Sequence, residues 1–542
     1  MKNLWLSNSM IDAVISIGPR FRQVVVFSAV VALMYPSIVQ ADDVDDALLC
    51  LEQANLPCAV EIESKLYAER PTNTDVLQLR ARTHFHLGEF DEVVSVLDRL
   101  SEQGVDVSEN GGFPARASLA AFSGMVETKG EGVVIRHDPG IDRVLVEDAL
   151  TTMEAARTAF DTKLGGGPEH EVVLDIFPTA RRFMQASGIP EEAVRTTGVI
   201  ALSKWNRLLI TSPRATAGGY GWMDTSAHEY IHLVVSWRTK DKAPVWLQEG
   251  LARYLEKHWR PNPEFYLSPK QQSLLAQALS DDAFVPFEKF RLSMAYLDSG
   301  EEAALAYAQV STMVDFMVQQ AGEASLIELM DRIADGETAE AAVSGLAGFS
   351  SFEAFKKEWK QFLSTLPLVQ QELTKSSISL DGEGGDFAED PVLQGRTDLA
   401  KYVRVGDLLM QHKKYKAALV EYQKAKDPDE PMSPTALARM SECHFQLGEP
   451  SASKSQLTTA LGLYPENVEV LRTAAILAPK VGLGDGHDYW LRAHEVNPYS
   501  IQTQTALIEH YNRTSNDKAV RHHESILSIL EVGGLYSTIS NP

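Results

Sequence analysis

The sequence predicts an α+β domain that is flanked on both sides by all-α regions. Short runs of β-branched and aliphatic residues, bounded by Gly, Pro or Asn, occur between residues 133 and 211. Most of the remaining chain places apolar residues at helical spacing instead. With 542 residues, and at roughly 150 residues per domain, the chain is also too long for one compact unit.

Composition excludes several classes of protein. The chain carries 74 acidic against 50 basic residues, a formal charge of −24, with 44% hydrophobic residues. The apolar content is that of a folded protein. The acidic balance argues against a broad basic surface, so we expect no nucleic-acid partner.

Three cysteines, Cys50, Cys58 and Cys443, are too few for a disulfide-scaffolded domain or a multi-cysteine zinc module. Cys50 and Cys58 either pair in an oxidising compartment or stay reduced, and the sequence leaves both states open. Cys443 falls in the apolar pattern of a helix, which predicts a buried thiol.

Residues 1–41 have the pattern of a secretory signal peptide. Arg20 and Arg22 precede an apolar stretch at 24–34, and Val39-Gln40-Ala41 supplies a small-residue cleavage site. We therefore expect export to a periplasmic or extracellular location, with no stable membrane span after removal of the signal. An uncleaved anchor or a buried helix is the alternative.

The N-terminal region, residues 42–108, is predicted to be helical and similar to a tetratricopeptide repeat. Its segment 84–89 (His-Phe-His-Leu-Gly-Glu) recurs at 444–449 as His-Phe-Gln-Leu-Gly-Glu. Self-similarity of this kind indicates copies of one helix-turn-helix unit.

Residues 395–530 show the repeat more fully. Ala425, Ala460 and Ala493 lie 35 and 33 residues apart, and Pro465 and Pro498 each follow five residues after an Ala. This period resembles that of tetratricopeptide repeats, which bind protein partners; an irregular helical bundle is the alternative. Residues 367–394 read as an acidic, Gly-rich linker.

The α+β region spans residues 125–366. Predicted strands lie at 133–135, 172–177, 199–202 and 208–211, and the last two are close enough to form a hairpin. A long amphipathic helix over 142–164 separates the first two strands, and residues 222–364 read as helical. A small sheet followed by helices is typical of an α+β fold.

The strongest chemical signal is His228-Glu229-Tyr230-Ile231-His232. On a helix, His228 and His232 lie one turn apart on the same face, so that both imidazoles can reach one metal ion. Glu229 lies beside them, where a general base is needed for metal-assisted hydrolysis. Taken alone, the motif also fits an ordinary surface helix.

A second motif, Trp246-Leu247-Gln248-Glu249-Gly250-Leu251-Ala252, follows in a helix that begins at Pro244. Antiparallel packing of the two helices would bring Glu249 to the same metal ion. Together the two motifs resemble those of the gluzincin metallopeptidases, of the peptidase MA-like type.

The resemblance implies a thermolysin-like zincin fold over about 130–365 and one zinc ion (Zn2+) held by His228, His232 and Glu249. It also implies a peptide or protein substrate, with Glu229 as the general base. Thermolysin has an Asp four residues after its zinc Glu, whereas this chain has Arg253. We therefore expect Asp224 or Glu256 to orient a ligand histidine instead.

Amide hydrolysis also needs a donor for the developing oxyanion. The resemblance favours Tyr307 in the segment Tyr307-Ala308-Gln309-Val310-Ser311. His258 and Tyr296 are rivals, and a core role for Tyr307 is the alternative. The strand 208–211 is the predicted edge that pairs with substrate backbone, and the loop 217–221 either flexes over the cleft or merely connects.

Other polar features are predicted to be without chemistry. The histidine pairs 522/523 and 84/86 lack acidic or cysteine partners at ligand spacing in the sequence, which predicts solvated side chains. The alternative to an enzyme is an interaction scaffold, in which the repeats bind partners and the peptidase-like domain is inactive or regulatory.

Overall fold

The computed structural model describes residues 42–107, 112–189, 194, 198–261, 263, 267–291, 294, 297–371, 387, 389–428 and 430–539, without the side chains of 42, 112–115 and 533–539. The predicted signal peptide (1–41), most of the acidic part of the linker and Tyr296 lie outside these residues. Helices predominate, and a five-stranded mixed sheet lies among them, which confirms the α+β class.

The strands are β1 Val126–Lys129, β2 Val133–His137, β3 Val172–Phe177, β4 Ala201–Lys204 and β5 Arg207–Thr211. Their order across the sheet is β1-β2-β3-β5-β4, with β2, β3 and β5 parallel and the two outer strands antiparallel to their neighbours. The hairpin β4–β5 turns at Trp205 and Asn206, both with positive φ (55° and 56°), as a two-residue turn between twisted strands requires.

The helices before and within the α+β region are α1 Asp42–Glu52, α2 Leu56–Glu69, α3 Thr74–Leu87, α4 Phe90–Glu102, α5 Gly112–Phe122, α6 Val146–Leu164, α7 Ala180–Ser187, α8 Trp222–Thr239, α9 Val245–Leu255, α10 Pro269–Asp281, α11 Phe287–Phe290, α12 Gly300–Ala321, α13 Ser325–Ala334, α14 Ala339–Leu346 and α15 Phe352–Leu363. The helix predicted over 142–164 forms as α6, preceded by a 3-10 turn over Ile141–Leu145.

After the linker the helices are α16 Thr397–Gln411, α17 Tyr415–Lys424, α18 Pro434–Gln446, α19 Pro450–Leu463, α20 Val468–Val481, α21 Gly486–Val496, α22 Ile501–Arg513 and α23 Asp517–Ile539. Each packs against its neighbours in the chain, in four successive pairs. The described helices lack an apolar stretch long enough to cross a membrane.

The main core lies between the sheet and the helices that follow it. Its centre is α8, where Trp222, Tyr230 and Val234 are fully buried. Tyr230 also donates a hydrogen bond of 2.6 Å to Asp161 of α6, which fixes the rotation of α8 against the long helix. Gly250 lets α9 approach α12 closely, because a Cβ there would lie 2.9 Å from the carbonyl oxygen of Val310.

The N-terminal helices pack on the β4–β5 turn. The rings of Phe85 and Trp205 meet edge to face, with centroids 4.7 Å apart, and Asn206 donates to Nδ1 of the buried His86 at 3.2 Å. His84 lies 2.5 Å from Glu89. The prediction that these two histidines are solvated is therefore wrong, since packing on the sheet buries one and Glu89 pairs with the other.

The same contact occurs in the other copy of the recurring segment, where Nδ1 of His444 lies 2.7 Å from Oε2 of Glu449. Both segments close a helix and lead through a positive-φ glycine (Gly88 and Gly448) into the next helix. The two copies thus share their geometry as well as their sequence.

The C-terminal helices dock onto the α+β region through a group that we call the interdomain histidine cluster: His494, His522 and His523. His522 lies 2.8 Å from Glu147 and 3.1 Å from Asp148, both at the start of α6, and His523 is only 4% exposed. The prediction of solvated side chains at 522/523 is wrong, because their acidic partners come from a distant part of the chain.

A second contact between the same regions centres on Asp142, which is fully buried. Its carboxylate accepts hydrogen bonds from Ser212 (2.9 Å), from Arg214 (2.7 and 3.0 Å) and from the hydroxyl of Tyr499 (2.6 Å). A buried carboxylate is tolerated when its lone pairs are satisfied in this way. Tyr499, from the C-terminal helices, is one of these donors.

The structure also pairs Cys50 with Cys58 in a disulfide and buries the thiol of Cys443. The disulfide joins the end of α1 to the start of α2.

Candidate metal and catalytic site

His228, His232 and Glu249 come together where α8 and α9 pack, and we call them the candidate metal cluster. Nε2 of His228 and Nε2 of His232 are 3.2 Å apart. Oε2 of Glu249 lies 3.5 Å from the first and 3.6 Å from the second. The three donor atoms thus form a nearly equilateral triangle.

The dimensions of this triangle fit a zinc ion. Zinc binds imidazole nitrogen and carboxylate oxygen at about 2.0–2.2 Å in a tetrahedral arrangement, which separates the donors by about 3.3–3.5 Å. Two nitrogen donors and one oxygen donor from protein side chains are also the set found in catalytic sites that keep a fourth position open. The residues present therefore suit the ion that the motifs imply.

Glu256 orients the first histidine. Its Oε2 lies 3.1 Å from Nδ1 of His228, so the Nδ1 proton is donated to the carboxylate and the lone pair of Nε2 is left to the cluster. Asp224, the other residue predicted for this role, instead accepts hydrogen bonds from Trp259 (3.0 Å) and Arg260 (2.7 Å). Of the two, only Glu256 contacts a histidine of the cluster.

Charge and burial shift the pKa values in this group in opposite directions. Burial raises the pKa of Glu249, but His232 and His228 outweigh it and hold that pKa well below its ordinary value. Burial lowers the pKa of His228, but Glu249 and Glu256 outweigh it and raise the pKa to about 9. The protein side chains alone thus form a tightly coupled group of opposite charges.

Glu229 is 7% exposed and lies beside the cluster. Burial raises its pKa, as does Glu249, and the two histidines oppose this without cancelling it. The backbone of Ser203 in β4 lies near the Glu229 carboxylate and acts to lower its pKa. Among the described residues β4 is one of the two outer strands of the sheet, and an outer strand therefore lies next to the predicted base.

The pairing of the strands corrects the predicted substrate edge. The strand at 208–211 is β5, which is internal because β3 and β4 pair with its two sides. The edge is β4, the other arm of the same hairpin. The hairpin was visible in the sequence, but which of its arms pairs with β3 was not.

Tyr307 lies on α12, close to the third ligand of the cluster. The Cζ atom of Arg253 is 5.5 Å from the centre of its ring. Burial raises the pKa of Tyr307 far above its ordinary range, and the charge of Glu249 adds to this. The phenol therefore keeps its proton. The rival His258 packs on Tyr254, with ring centroids 5.2 Å apart, and Tyr296 lies outside the described residues.

The loop 217–221 is held rather than free. The backbone N–H of Tyr220 donates to the carbonyl of Val496 at 3.1 Å, and the Tyr220 hydroxyl donates to the carbonyl of Thr211. Gly219 has φ of 74°, and a Cβ there would lie 2.3 Å from the Val496 oxygen. The segment that leads into α8 is thus packed against the end of α21.

Residues 152–365 match the family model described as "Peptidase MA superfamily". The match runs from within α6 to the end of α15 and includes both motif helices and α12. No curated protein sequence matches the chain.

Two solved structures of yeast LTA4 hydrolase are similar to the chain. The complex with bestatin has 12% identity and a TM-score of 0.28, with 74% of this chain and 67% of that chain covered. The native enzyme has 11% identity and a TM-score of 0.29, with 76% and 66% covered. The chain thus spans about two thirds of the length of these structures.

The matched segment contains His228, His232 and Glu249, which the structure brings together. It contains the two motif helices and the glycine that lets α9 approach α12. Residues 152–365, which carry both motifs, are thus similar to the peptidase MA superfamily.

Proposed function

We propose that this protein is an exported zinc metallopeptidase that hydrolyses peptide bonds. The observation that carries the proposal is the triangle of donor atoms in the candidate metal cluster, with the carboxylate of Glu229 beside it. The match of residues 152–365 to the superfamily model supports the reaction class. A fold alone would not, because one fold hosts many activities.

Different side chains have different roles in the proposed reaction. A zinc ion held by His228, His232 and Glu249 would supply Lewis-acid activation of water and of the scissile carbonyl. Glu229 takes a proton from the attacking water and passes it to the leaving amine. Tyr307 donates a hydrogen bond to the oxygen on which negative charge develops, an interaction worth about 3 kcal/mol in comparable sites.

Substrate alignment falls to the edge strand. The outer side of β4 offers backbone groups that an extended peptide can pair with, and the contact between Ser203 and Glu229 sets that edge beside the base. Glu256 keeps His228 in the tautomer that leaves Nε2 to the cluster.

Replacing the base while keeping the ligands tests the mechanism. We expect Glu229→Gln to retain one zinc per chain by elemental analysis and to lose cleavage of a peptide library by a factor of at least about 100. Glu301→Gln makes the same chemical change at an exposed position on α12 and should leave cleavage unchanged. Undiminished cleavage by Glu229→Gln would refute the mechanism.

The scaffold alternative makes a different prediction. A protein whose peptidase-like domain is inactive or regulatory would bind partners through its C-terminal helices, and its cleavage products would be the same with and without Glu229. Comparing cleaved termini in a proteome treated with the wild type or with Glu229→Gln separates the two functions and identifies the substrate.

Export is part of the proposal and is tested separately. The apolar N-terminal stretch supports it, and so does the Cys50–Cys58 disulfide, since such bonds persist in oxidising compartments. We expect protein recovered from the exported fraction to begin at Asp42 by N-terminal sequencing. An intact N-terminus on protein that stays in the cytosol would contradict this.

A further inference from the structure

We propose that Arg253 binds a carboxylate of the substrate, so that the enzyme selects peptides with a carboxylate close to the scissile bond. The inference rests on the proposed peptidase function and adds the class of substrate to it. Three observations support it: the position of Arg253 next to the candidate metal cluster, the hydrogen bonds of its guanidinium to Glu256, and its Nε atom, which lacks a partner among the described residues.

Arg253 stands one helical turn beyond the third ligand of the cluster. It follows Glu249 by four residues on α9, which places both on the same face, about 6 Å apart along the axis. The side chain of Arg253 is 42% exposed, whereas those of Glu256 and Glu249 are 13% and 9% exposed. Solvent, and hence a ligand, can therefore reach a cation directly beside the cluster.

The guanidinium is anchored by one of its ends. Both of its hydrogen bonds to Glu256 use Nη1, at 3.2 and 3.5 Å. Glu256 in turn holds His228, so it fixes a metal-binding residue and the cation at the same time. The stacking of Arg253 near the ring of Tyr307 adds a second contact.

The Nε atom of Arg253 takes part in neither of these hydrogen bonds. It is buried and has no hydrogen-bond partner within the described part of the chain. A buried donor without a partner costs about 1–3 kcal/mol. Nε and Nη2 form the edge of a guanidinium that receives a carboxylate through two parallel hydrogen bonds. A substrate carboxylate on this edge would satisfy the orphan donor.

The distance limits where that carboxylate sits. Arg253 is offset from Glu249 by about 6 Å along the axis of α9. An extended peptide advances about 3.3 Å per residue, so this offset matches roughly two residues of substrate. The carboxylate belongs either to an acidic side chain or to the free C-terminus of a short substrate. Both present the same group to the guanidinium.

Matched peptides distinguish these sources and test the proposal. One pair carries Asp or Asn within two residues of the scissile bond, and a second pair ends in a free acid or an amide. We expect the wild type to favour the carboxylate member of at least one pair by about tenfold to a hundredfold in kcat/KM, the value of one charge-assisted pair of hydrogen bonds. The pair that shows the preference identifies the source.

Variants then assign the preference to a residue. Arg253→Gln should reduce the ratio to about one, and Arg253→Lys, which keeps the charge without the planar edge, should give an intermediate ratio. Lys257→Gln removes a cation two residues beyond the end of α9 and should leave the ratio intact. Zinc content is measured for each variant so that a lost metal is not mistaken for lost selectivity.

A binding measurement keeps this inference separate from the peptidase function. The same fluorescent peptides are titrated against Glu229→Gln with and without Arg253→Gln, and the ratio of Kd values should fall with the arginine. Absence of cleavage of any peptide by the wild type would refute the proposed function, while the Kd ratio would still decide the role of Arg253. Equal binding of acidic and neutral peptides, or a ratio that survives Arg253→Gln, would overturn the present inference.

Discussion

The candidate metal cluster and the interdomain histidine cluster both bring three potential metal ligands within 4.8 Å of one another, yet their chemistry differs. In the first, the Nδ1–H of His228 donates a hydrogen bond to Glu256, so that Nε2, beside the carboxylate of Glu249, is the nitrogen left to bind a metal ion. In the second cluster, protein groups occupy the ring nitrogens of His494 and His522. Closeness of histidines and carboxylates is thus a weaker criterion for a metal site than ring nitrogens that are available to bind the ion.

The nitrogens of the interdomain histidine cluster are almost all engaged. The amide nitrogen of Gln504 donates to Nδ1 of His494 at 2.9 Å and also to the carbonyl of Pro498 at 2.7 Å. Nε2 of His494 therefore carries the proton and donates to Asp148 at 3.1 Å. His522 has both nitrogens on carboxylates. Two of the three histidines consequently offer a metal ion no lone pair.

The largest expected effect is on zinc stoichiometry. The wild type should contain one zinc ion per chain and His228→Ala essentially none, because two ligands cannot replace three. His522→Gln, the matched change in the interdomain histidine cluster, should keep one. Elemental analysis of the three purified proteins measures this. Two equivalents in the wild type, with one lost in each variant, would make both clusters metal sites, and a loss caused by His522→Gln alone would place the metal in the interdomain histidine cluster.

The second effect is on stability and its pH dependence. Burial lowers the pKa of His522, but Asp148 and Glu147 outweigh it and raise the pKa to about 9. A raised pKa stabilises the fold fully below the unfolded value of about 6.5, and this contribution is lost as the pH rises through about 9. We expect His522→Gln to lower the free energy of unfolding by about 3 kcal/mol near pH 6 and by little above pH 9.5.

Urea unfolding of both proteins at the two pH values measures this difference in the free energy of unfolding. Hydrogen exchange in the C-terminal helices shows whether the loss of stability lies there. A difference that is independent of pH would mean that the charge of His522 is not what docks the two regions. A metal ion in this cluster would instead make the stability of the wild type sensitive to chelators.

The smallest effect concerns Glu256. Glu256→Gln should weaken zinc binding by about tenfold to a hundredfold, since the amide orients His228 less strongly than the carboxylate. Asp224→Asn, one turn before His228 on α8, should have no such effect because Asp224 contacts Arg260 and Trp259 instead. Competition with a chromogenic chelator reports both affinities, and equal affinities would remove Glu256 from the site.

The sequence was sufficient wherever the chemistry is local. His228 and His232 are one turn apart on a single helix, and Glu249 follows within one helical hairpin, so their spacing alone suggested a shared site. Glu256 was also within reach, because seven residues from Glu249 makes two turns on the same face. In the sequence Arg253 marks only a departure from the thermolysin pattern, since the sequence does not show that its Nε is buried without a partner in the described part of the chain.

Contacts between distant segments could not be read in the same way. The acidic partners of His522 precede it by more than 370 residues, and no periodicity links the two positions. The predicted edge strand is the wrong arm of the hairpin, because the local sequence of the two arms does not say which of them pairs with β3. Such pairings are decided by tertiary packing rather than by local pattern.

The contact between Asp142 and Tyr499 joins residues separated by 357 positions, and this bears on how the protein is made. A chain that emerges from the ribosome N-terminus first reaches Asp142 long before Tyr499 exists. Until then a carboxylate destined for the interior lacks one of its donors, and the loop that leads into α8 lacks the surface on which it rests. The cooperative unit that folds is therefore longer than residues 152–365, and expressing that segment alone should yield a protein with exposed apolar surface that aggregates.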